Sequence, residues 1–183
     1  MKGVIIFKGK YGATWQYADW LASALDVPAM KIDRVTGENL SKYDFLVIGS
    51  SVYIGKLLIK DWLKQNLASI QNKKIFLFIV CGTSPGEKDK LNKIAEDNIP
   101  GEIRTKCAVY FLHGQMIKKN LTWSDRLMLR LGSLLARNPE DRKNMWEDFN
   151  DVKEENILPL IQKIKAFCLS ADPHGTLIKE VPH

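Results

Sequence analysis

The sequence predicts an α/β fold: a doubly wound sheet of five parallel strands in the order 2-1-3-4-5, with helices on both faces. Two observations carry this prediction. Solid apolar runs are typical of strands buried on both faces of a parallel sheet, whereas a strand with one solvated face alternates with polar residues. Amphipathic helical patterns lie between these runs, as in successive β-α-β units. The length of 183 residues fits one such domain.

Predicted strands and helices alternate along the chain. Strands are predicted, in chain order, at Val4–Phe7, Val27–Ile32, Phe45–Gly49, Lys74–Val80 and Lys106–Gly114. Helices are predicted directly after Thr14 and then over Ile59–Leu67, Glu87–Asn98, Ser124–Arg137 and Asn156–Leu169. Apolar residues recur at spacings of three and four in each helical segment, which places them on one stripe.

Composition and domain organisation indicate a cytoplasmic globular protein. A hydrophobic content of 45% and a charged content of 26% are typical of soluble domains. The three cysteines are widely spaced and suit neither a disulfide framework nor a metal site, so we expect a reducing compartment and no metal. The first strand follows Met1 closely, so we expect no signal peptide. We expect one domain over residues 1–169, with a helical insert at about 115–150 after the fifth strand, and a tail over 170–183.

The loop from Lys8 to Thr14 joins the first strand to the first helix and contains two glycines. Backbone N–H groups converge at such a helix N-terminus, and the helix dipole adds about half a positive charge, so a phosphate is the expected guest. The loop matches neither the dinucleotide pattern G-x-G-x-x-G nor the nucleotide-triphosphate pattern G-x-x-x-x-G-K-[ST]. An ordinary strand–loop–helix connection is the alternative.

Two further loops are expected beside this one, because parallel strands end at the same edge of the sheet. The loop at Ser50–Lys56 offers an apolar and aromatic patch, and the loop at Cys81–Glu87 is rich in Gly and Pro and allows close approach of a ligand. A phosphate cradle beside two loops that can sandwich a planar ring describes a flavin mononucleotide (FMN) site. Taken singly, Tyr53 is equally well a packing residue, and Gly82 and Gly86 are equally well turn residues.

The chain resembles flavodoxin-domain proteins and, more narrowly, the quinone-dependent, oxygen-independent protoporphyrinogen dehydrogenases. The resemblance lies in Lys8–Thr14, Tyr43–Gly55, Cys107–Gly114 and the basic, apolar insert that follows, and it covers about residues 1–167. It implies a phosphate site made of Gly9, Lys10, Tyr11, Gly12, Ala13 and Thr14. It implies an isoalloxazine site flanked by Ser51, Val52, Tyr53, Ile54 and Gly55 and by Cys81, Gly82, Thr83, Ser84 and Gly86.

One position departs from the family pattern. Family members often begin the phosphate loop with Ser or Thr, whereas this chain has Lys8 there. One hydroxyl donor is lost, and a cation partly replaces it.

The resemblance implies an FMN-dependent oxidoreductase that passes electrons from a protoporphyrinogen-like substrate to a quinone, and no catalytic acid or base is assigned. Two alternatives stay open: a flavodoxin-type electron-transfer protein with a redox-partner protein, and a binding module that has lost the flavin. The net charge of +6 argues against the simple carrier, since single-domain flavodoxins tend to be acidic. His113 is placed near the cleft and Cys81 in a cleft loop, but a structural histidine and a buried thiol are the simpler interpretations.

The insert combines an apolar stripe with basic residues. Its predicted helix has Leu127, Leu131, Leu134 and Leu135 on one stripe, and Trp123 lies at its start. The basic residues of the insert are Lys118, Lys119, Arg126, Arg130 and Arg137. We expect them to contact an anionic membrane at its inner face, or an acidic partner. The alternative is a helix that packs on the domain and has a solvated basic face. No aromatic-interleaved basic motif is present, so we expect no nucleic acid binding.

Overall fold

The computed structural model describes residues 1–135 and 147–171. The strands are β1 (Gly3–Lys8), β2 (Ala29–Lys31), β3 (Phe45–Tyr53), β4 (Lys56–Leu57), β5 (Lys74–Cys81), β6 (Ala108–His113), β7 (Gln115–Met116) and β8 (Phe149–Asn150). The α-helices are α1 (Ala13–Leu25), α2 (Gly37–Ser41), α3 (Lys60–Gln65), α4 (Leu67–Ile70), α5 (Lys88–Asn98), α6 (Gly101–Arg104), α7 (Trp123–Leu135) and α8 (Leu158–Ser170). Short 3₁₀ turns lie at Ile32–Arg34, Lys118–Asn120 and Glu154–Ile157.

Five parallel strands form the main sheet in the order β2-β1-β3-β5-β6. Counted as principal strands, this is the predicted order 2-1-3-4-5, so the predicted fold class is confirmed. The small strand β4 pairs antiparallel with the end of β3, and β7 pairs with β8 in a separate two-stranded ribbon. The insert follows β6, the fifth principal strand, as predicted.

The sheet is buried on both faces, which explains the solid apolar runs. In β5, Phe76 and Phe78 pack with α1 and α8, whereas Leu77 and Ile79 pack on the opposite face with α3 and α5. Successive side chains point to opposite faces of a strand, so each run must be apolar at every position to serve both layers.

Three element boundaries differ from the sequence predictions. Strand β3 continues to Tyr53, so the first part of the predicted loop at 50–56 is strand, because β4 supplies partners for its last residues. Strand β2 is only three residues long. The predicted helix over 59–67 is two short helices, α3 and α4, that meet at Asn66. Residues 136–146 and 172–183 lie outside the described part, and with them Arg137 and nearly all of the tail.

No helix in the described part of the chain is long and apolar enough to cross a membrane.

Gly49 lies where β3 passes directly beneath a core aromatic ring. A Cβ at this position would sit 2.0 Å from the Phe78 ring, which is itself fully buried. We predict that Gly49→Ala lowers the free energy of unfolding by about 1–3 kcal/mol, because the ring has no free space to move into. The measurement is urea denaturation.

The matched control for that substitution is Gly101→Ala. Nothing lies within 4 Å of a Cβ at Gly101, the first residue of α6. This change should leave stability unchanged or raise it by up to about 1 kcal/mol. Equal midpoints for the two variants would contradict the packing argument.

Candidate functional site

The predicted phosphate loop wraps closely over the first turn of α1. Gly12 precedes α1 with a φ of 90°, in the region that favours glycine, and no side chain caps the helix. A Cβ on Gly9 would lie 2.6 Å from the Thr14 side chain, so the loop needs glycine there as well. The first intrahelical bond is from the Gln16 N–H to the Gly12 carbonyl, 3.0 Å, and the N–H groups before it point out of the helix end. This end is shaped to receive an anion.

Two buried hydroxyls beside this loop have no hydrogen-bond partner among the described residues. They are Tyr11 Oη in the loop itself and Ser51 Oγ near the end of β3. An unpaired buried hydroxyl is costly, so these atoms mark places where a polar ligand group would be stabilised. The amine of Lys8, by contrast, lies 3.6 Å from Asp33, in an exposed pair.

The second predicted loop is the β3–β4 hairpin turn at Ile54–Gly55. Both turn residues have positive φ, 49° and 71°, and the Ile54 side chain is exposed. The buried Asn98 of α5 holds this turn, since its Nδ2 donates to the Gly55 carbonyl at 3.0 Å and its Oδ1 accepts from the Leu57 N–H at 3.1 Å. The hairpin is therefore a fixed wall at the edge of the sheet.

The third predicted loop follows Cys81. Burial raises the pKa of the Cys81 thiol, and the side chain is almost wholly enclosed, which supports the interpretation as a buried thiol. His113, at the end of β6, contacts this loop: its Nε2 lies 3.2 Å from the Gly82 carbonyl and its Nδ1 lies 2.6 Å from Asp151 Oδ2. The His113 ring stacks on Phe149 at 5.3 Å. His113 therefore ties the loop to the residues that follow the insert, a structural role.

The structure brings all sixteen predicted cofactor-site residues to one edge of the sheet, because β1, β3 and β5 are adjacent and parallel. They occupy the β1–α1 loop and first turn of α1 (Gly9, Lys10, Tyr11, Gly12, Ala13, Thr14), the β3–β4 hairpin (Ser51, Val52, Tyr53, Ile54, Gly55), and the end of β5 with its following loop (Cys81, Gly82, Thr83, Ser84, Gly86).

A buried carboxylate joins two of these loops to the insert. Asp125, in the first turn of α7, lies 2.8 Å from the Lys10 amine through each of its oxygens and accepts a hydrogen bond from the Tyr53 hydroxyl at 2.5 Å. Asp125 is only 5% exposed. The Lys10 amine also lies 3.8 Å from the centre of the Tyr53 ring. We call these three residues the Asp125 cluster.

The Lys10 amine of this cluster stays protonated well above neutral pH. Burial lowers the pKa of Lys10, but the hydrogen bonds with Asp125 and Tyr53 outweigh it and raise the pKa above its ordinary value of 10.5. A raised lysine pKa means that the contribution of the pair to stability is complete below pH 10.5 and is lost as the pH rises through the folded-state value.

The orientation of α7 is opposite to that of an ordinary surface helix. The face toward the domain carries Asp125 and Ser133, both buried, and the leucines 127, 131 and 134 point to solvent. The predicted leucine stripe is present, but α7 does not pack on the domain through its exposed leucines 127, 131 and 134. The side chain of Leu135 is outside the described part.

Residues after β6 also cover the phosphate loop. The Gln115 side chain donates from Nε2 to the Tyr11 carbonyl at 2.9 Å. The cavity left beside the loop is about 10 Å³, lined by Tyr11, Gln115, Ile117 and Asn120. That volume suits about one water molecule.

Sequence reasoning missed the residues that tie these loops together. Asp125, Gln115, Asp151 and Phe149 lie in the insert or directly after it, far in sequence from the loops that they contact. A single acidic residue in the first turn of a helix was the sole signal for Asp125, and that pattern is equally explained by the helix dipole.

This fold and this edge define a class: doubly wound α/β domains whose first loop and helix N-terminus form an anion site at the switch point of the sheet. A family model described as Flavodoxin domain matches residues 4–143, well over half of the chain. The chain belongs to the flavodoxin domain family. The match identifies the domain family, but it does not support the narrower resemblance to the protoporphyrinogen dehydrogenases.

Individual relatives are distant. An uncharacterized protein of Methanocaldococcus jannaschii is 29% identical over 100 residues, which span 54% of this chain and 66% of that protein, slightly under two thirds. An archaeal flavodoxin structure is 17% identical, with 74% of this chain and 99% of that chain covered and a TM-score of 0.46. Flavodoxin 2 of Bacillus cereus is 20% identical, with 62% and 84% covered and a TM-score of 0.46.

We predict that Asp125→Asn lowers the free energy of unfolding by about 1–3 kcal/mol. The reason is that a neutral amide replaces the buried carboxylate that pairs with the Lys10 amine. Chemical denaturation at neutral pH measures it. Asp33→Asn is the control, since the Asp33–Lys8 pair is exposed and should contribute less than about 1 kcal/mol. Similar losses of free energy of unfolding in the two variants would show that the buried pair of Asp125 stabilises the protein no more than the exposed pair of Asp33.

Proposed function

We propose that this protein binds one FMN noncovalently at the carboxyl edge of the sheet and acts as a redox protein. The observation that carries the proposal is the uncapped N-terminus of α1 behind a glycine loop, which offers backbone donors to a dianionic phosphate. Membership of the flavodoxin domain family supports the same cofactor. Bound FMN would supply the electron transfer, and the protein would supply binding, orientation and electrostatics.

Different parts of the chain would hold the phosphate end and the ring end of the cofactor. At the phosphate end, Gly9, Gly12 and the buried Thr14 form the cradle, and the unpaired Tyr11 hydroxyl is nearby. At the ring end, the β3–β4 hairpin and the loop after Cys81 are the walls. The Asp125 cluster joins α7 to this region, and a shift of α7 that broke the cluster would free the Lys10 amine for the phosphate or the ring.

The finer proposal is transfer of electrons from a protoporphyrinogen-like substrate to a quinone. It is favoured by the exposed apolar side of α7, which lies on the connection that borders the site and suits lipophilic reactants. A flavodoxin-type carrier is the second candidate, supported by the family match.

We predict that FMN fluorescence is quenched at micromolar protein and that riboflavin, which lacks the phosphate, binds at least about tenfold more weakly, since charge-assisted hydrogen bonds contribute about 1.5–3 kcal/mol each. Gly12→Asp should abolish this preference by adding a carboxylate and a side chain at a φ of 90°. The control is Gly101→Asp in α6, which lies before β6, at the opposite end of that strand. Equal affinities for FMN and riboflavin, or no quenching at all, would refute the phosphate assignment.

The two functional candidates separate in anaerobic assays with flavin-loaded protein. For the enzyme, we expect quinone reduction with porphyrinogen as donor, and a rate that saturates with donor concentration. Reduced nicotinamide serves as a comparison donor. If loaded protein reduces no quinone with either donor, the carrier is the better description.

A further inference from the structure

We propose that α7 is a docking surface for an anionic lipid bilayer, lying in the plane of the membrane with its apolar side in the headgroup boundary and the basic residues beside it on lipid phosphates. The occupant is a phospholipid bilayer that carries net negative charge. The proposal rests on which way α7 faces.

The apolar side of α7 is open to solvent from Trp123 to Leu134. Leu127, Met128 and Leu131 are each nearly half exposed, and Leu134 is 73% exposed. Trp123, one turn before Leu127, is 79% exposed. An exposed contiguous apolar stripe of this kind is unusual on a domain and marks an interaction surface.

The Asp125 cluster prevents this side from turning inward. Asp125 is held by the Lys10 amine and the Tyr53 hydroxyl on the side of α7 toward the domain. Rotation of α7 to bury the leucines would carry this carboxylate into solvent and leave Lys10 without its partner, so the polar contacts hold the apolar side outward.

A basic cavity lies beside the apolar side. Its volume is about 370 Å³, and it is lined by Lys118, Lys119, Arg126, Leu129 and Arg130. Within it, Arg126 Nη2 donates to the Lys119 carbonyl at 3.1 Å, which holds the guanidinium in place. Asp148 accepts a hydrogen bond from the Lys118 N–H at 3.0 Å, and its carboxylate lies 3.9 Å from the Lys118 amine. The four basic side chains that line this cavity suit an anionic phosphate group.

Charge and side-chain type favour a bilayer over the other occupants. A two-fold pairing of this surface with a second copy would bring the two basic cavities together, and like charges oppose that. Leu and Met side chains with a Trp at one end, next to Arg and Lys, are the composition of helices that lie in a membrane interface. At 13 residues, α7 is about 20 Å long, too short to span the hydrocarbon core, so it would lie flat.

The test is co-sedimentation of the full chain with vesicles of phosphatidylcholine alone and of phosphatidylcholine mixed with an equal amount of phosphatidylglycerol. We expect pelleting with the anionic vesicles at low salt and its loss at high salt, as the Debye length falls from about 10 Å at 0.1 M to about 3 Å at 1 M. Inorganic phosphate at matched ionic strength should not release the protein. Release by phosphate would indicate a free-anion site and overturn the proposal.

Two double variants separate the charges from the apolar side. Arg126→Gln with Arg130→Gln should weaken partitioning about 25-fold, since each basic residue near an anionic surface contributes about a fivefold gain. The control is Lys88→Gln with Lys93→Gln, which removes the same charge from the exposed face of α5 and should have little effect. Leu127→Ser with Leu131→Ser should also lose vesicle binding while the unfolding midpoint stays at the wild-type value, because these side chains are outside the core.

Three further results would overturn the proposal. One is equal pelleting with neutral and anionic vesicles. Another is an equal effect of the α5 control and the α7 arginine variant. The third is a concentration-dependent dimer in size-exclusion chromatography that the leucine variant abolishes, since this would assign the surface to a second copy of the chain.

Discussion

Burial of the parallel sheet on both faces is the constraint on which the rest of this structure depends. Parallel strands need long crossovers, and here the crossovers are helical and cover both faces. Neighbouring residues such as Phe76 and Leu77 serve opposite cores, so neither layer has room for unpaired polar groups. Polar side chains and glycine loops are therefore concentrated at the carboxyl edge, where β1, β3 and β5 all end.

Close packing and backbone conformation both require glycine at this edge. Gly49 is needed because the Phe78 ring occupies the place of a Cβ, and Gly9 is needed because Thr14 does. Gly12 is needed for its positive φ, which turns the chain into α1 and aims the first N–H groups outward. The shape of this loop is thus fixed by the packing of the domain.

The Asp125 cluster links the insert to the candidate site and determines which side of α7 faces solvent. One buried carboxylate satisfies a lysine from the phosphate loop and a tyrosine from the hairpin. Because this contact occupies the inward side of α7, the leucines face outward beside Arg126 and Arg130. Asp125 and the leucines lie on one helix, so a movement of α7 that broke the Asp125 cluster would also move this surface.

The sequence by itself determined the fold class, the order of the strands and the three loops at one edge. The reason is that the local spacing of apolar residues shows which segments are buried strands and which are helices between them. It also determined that α7 is amphipathic. Only the tertiary structure decided which side of α7 faces the domain, since spacing defines a stripe without naming its partner. Asp125 meets Lys10 across 115 residues and Tyr53 across 72, and no local pattern encodes such a contact. The extension of β3 to Tyr53 was likewise decided by its pairing with β4, because strand ends depend on available partners.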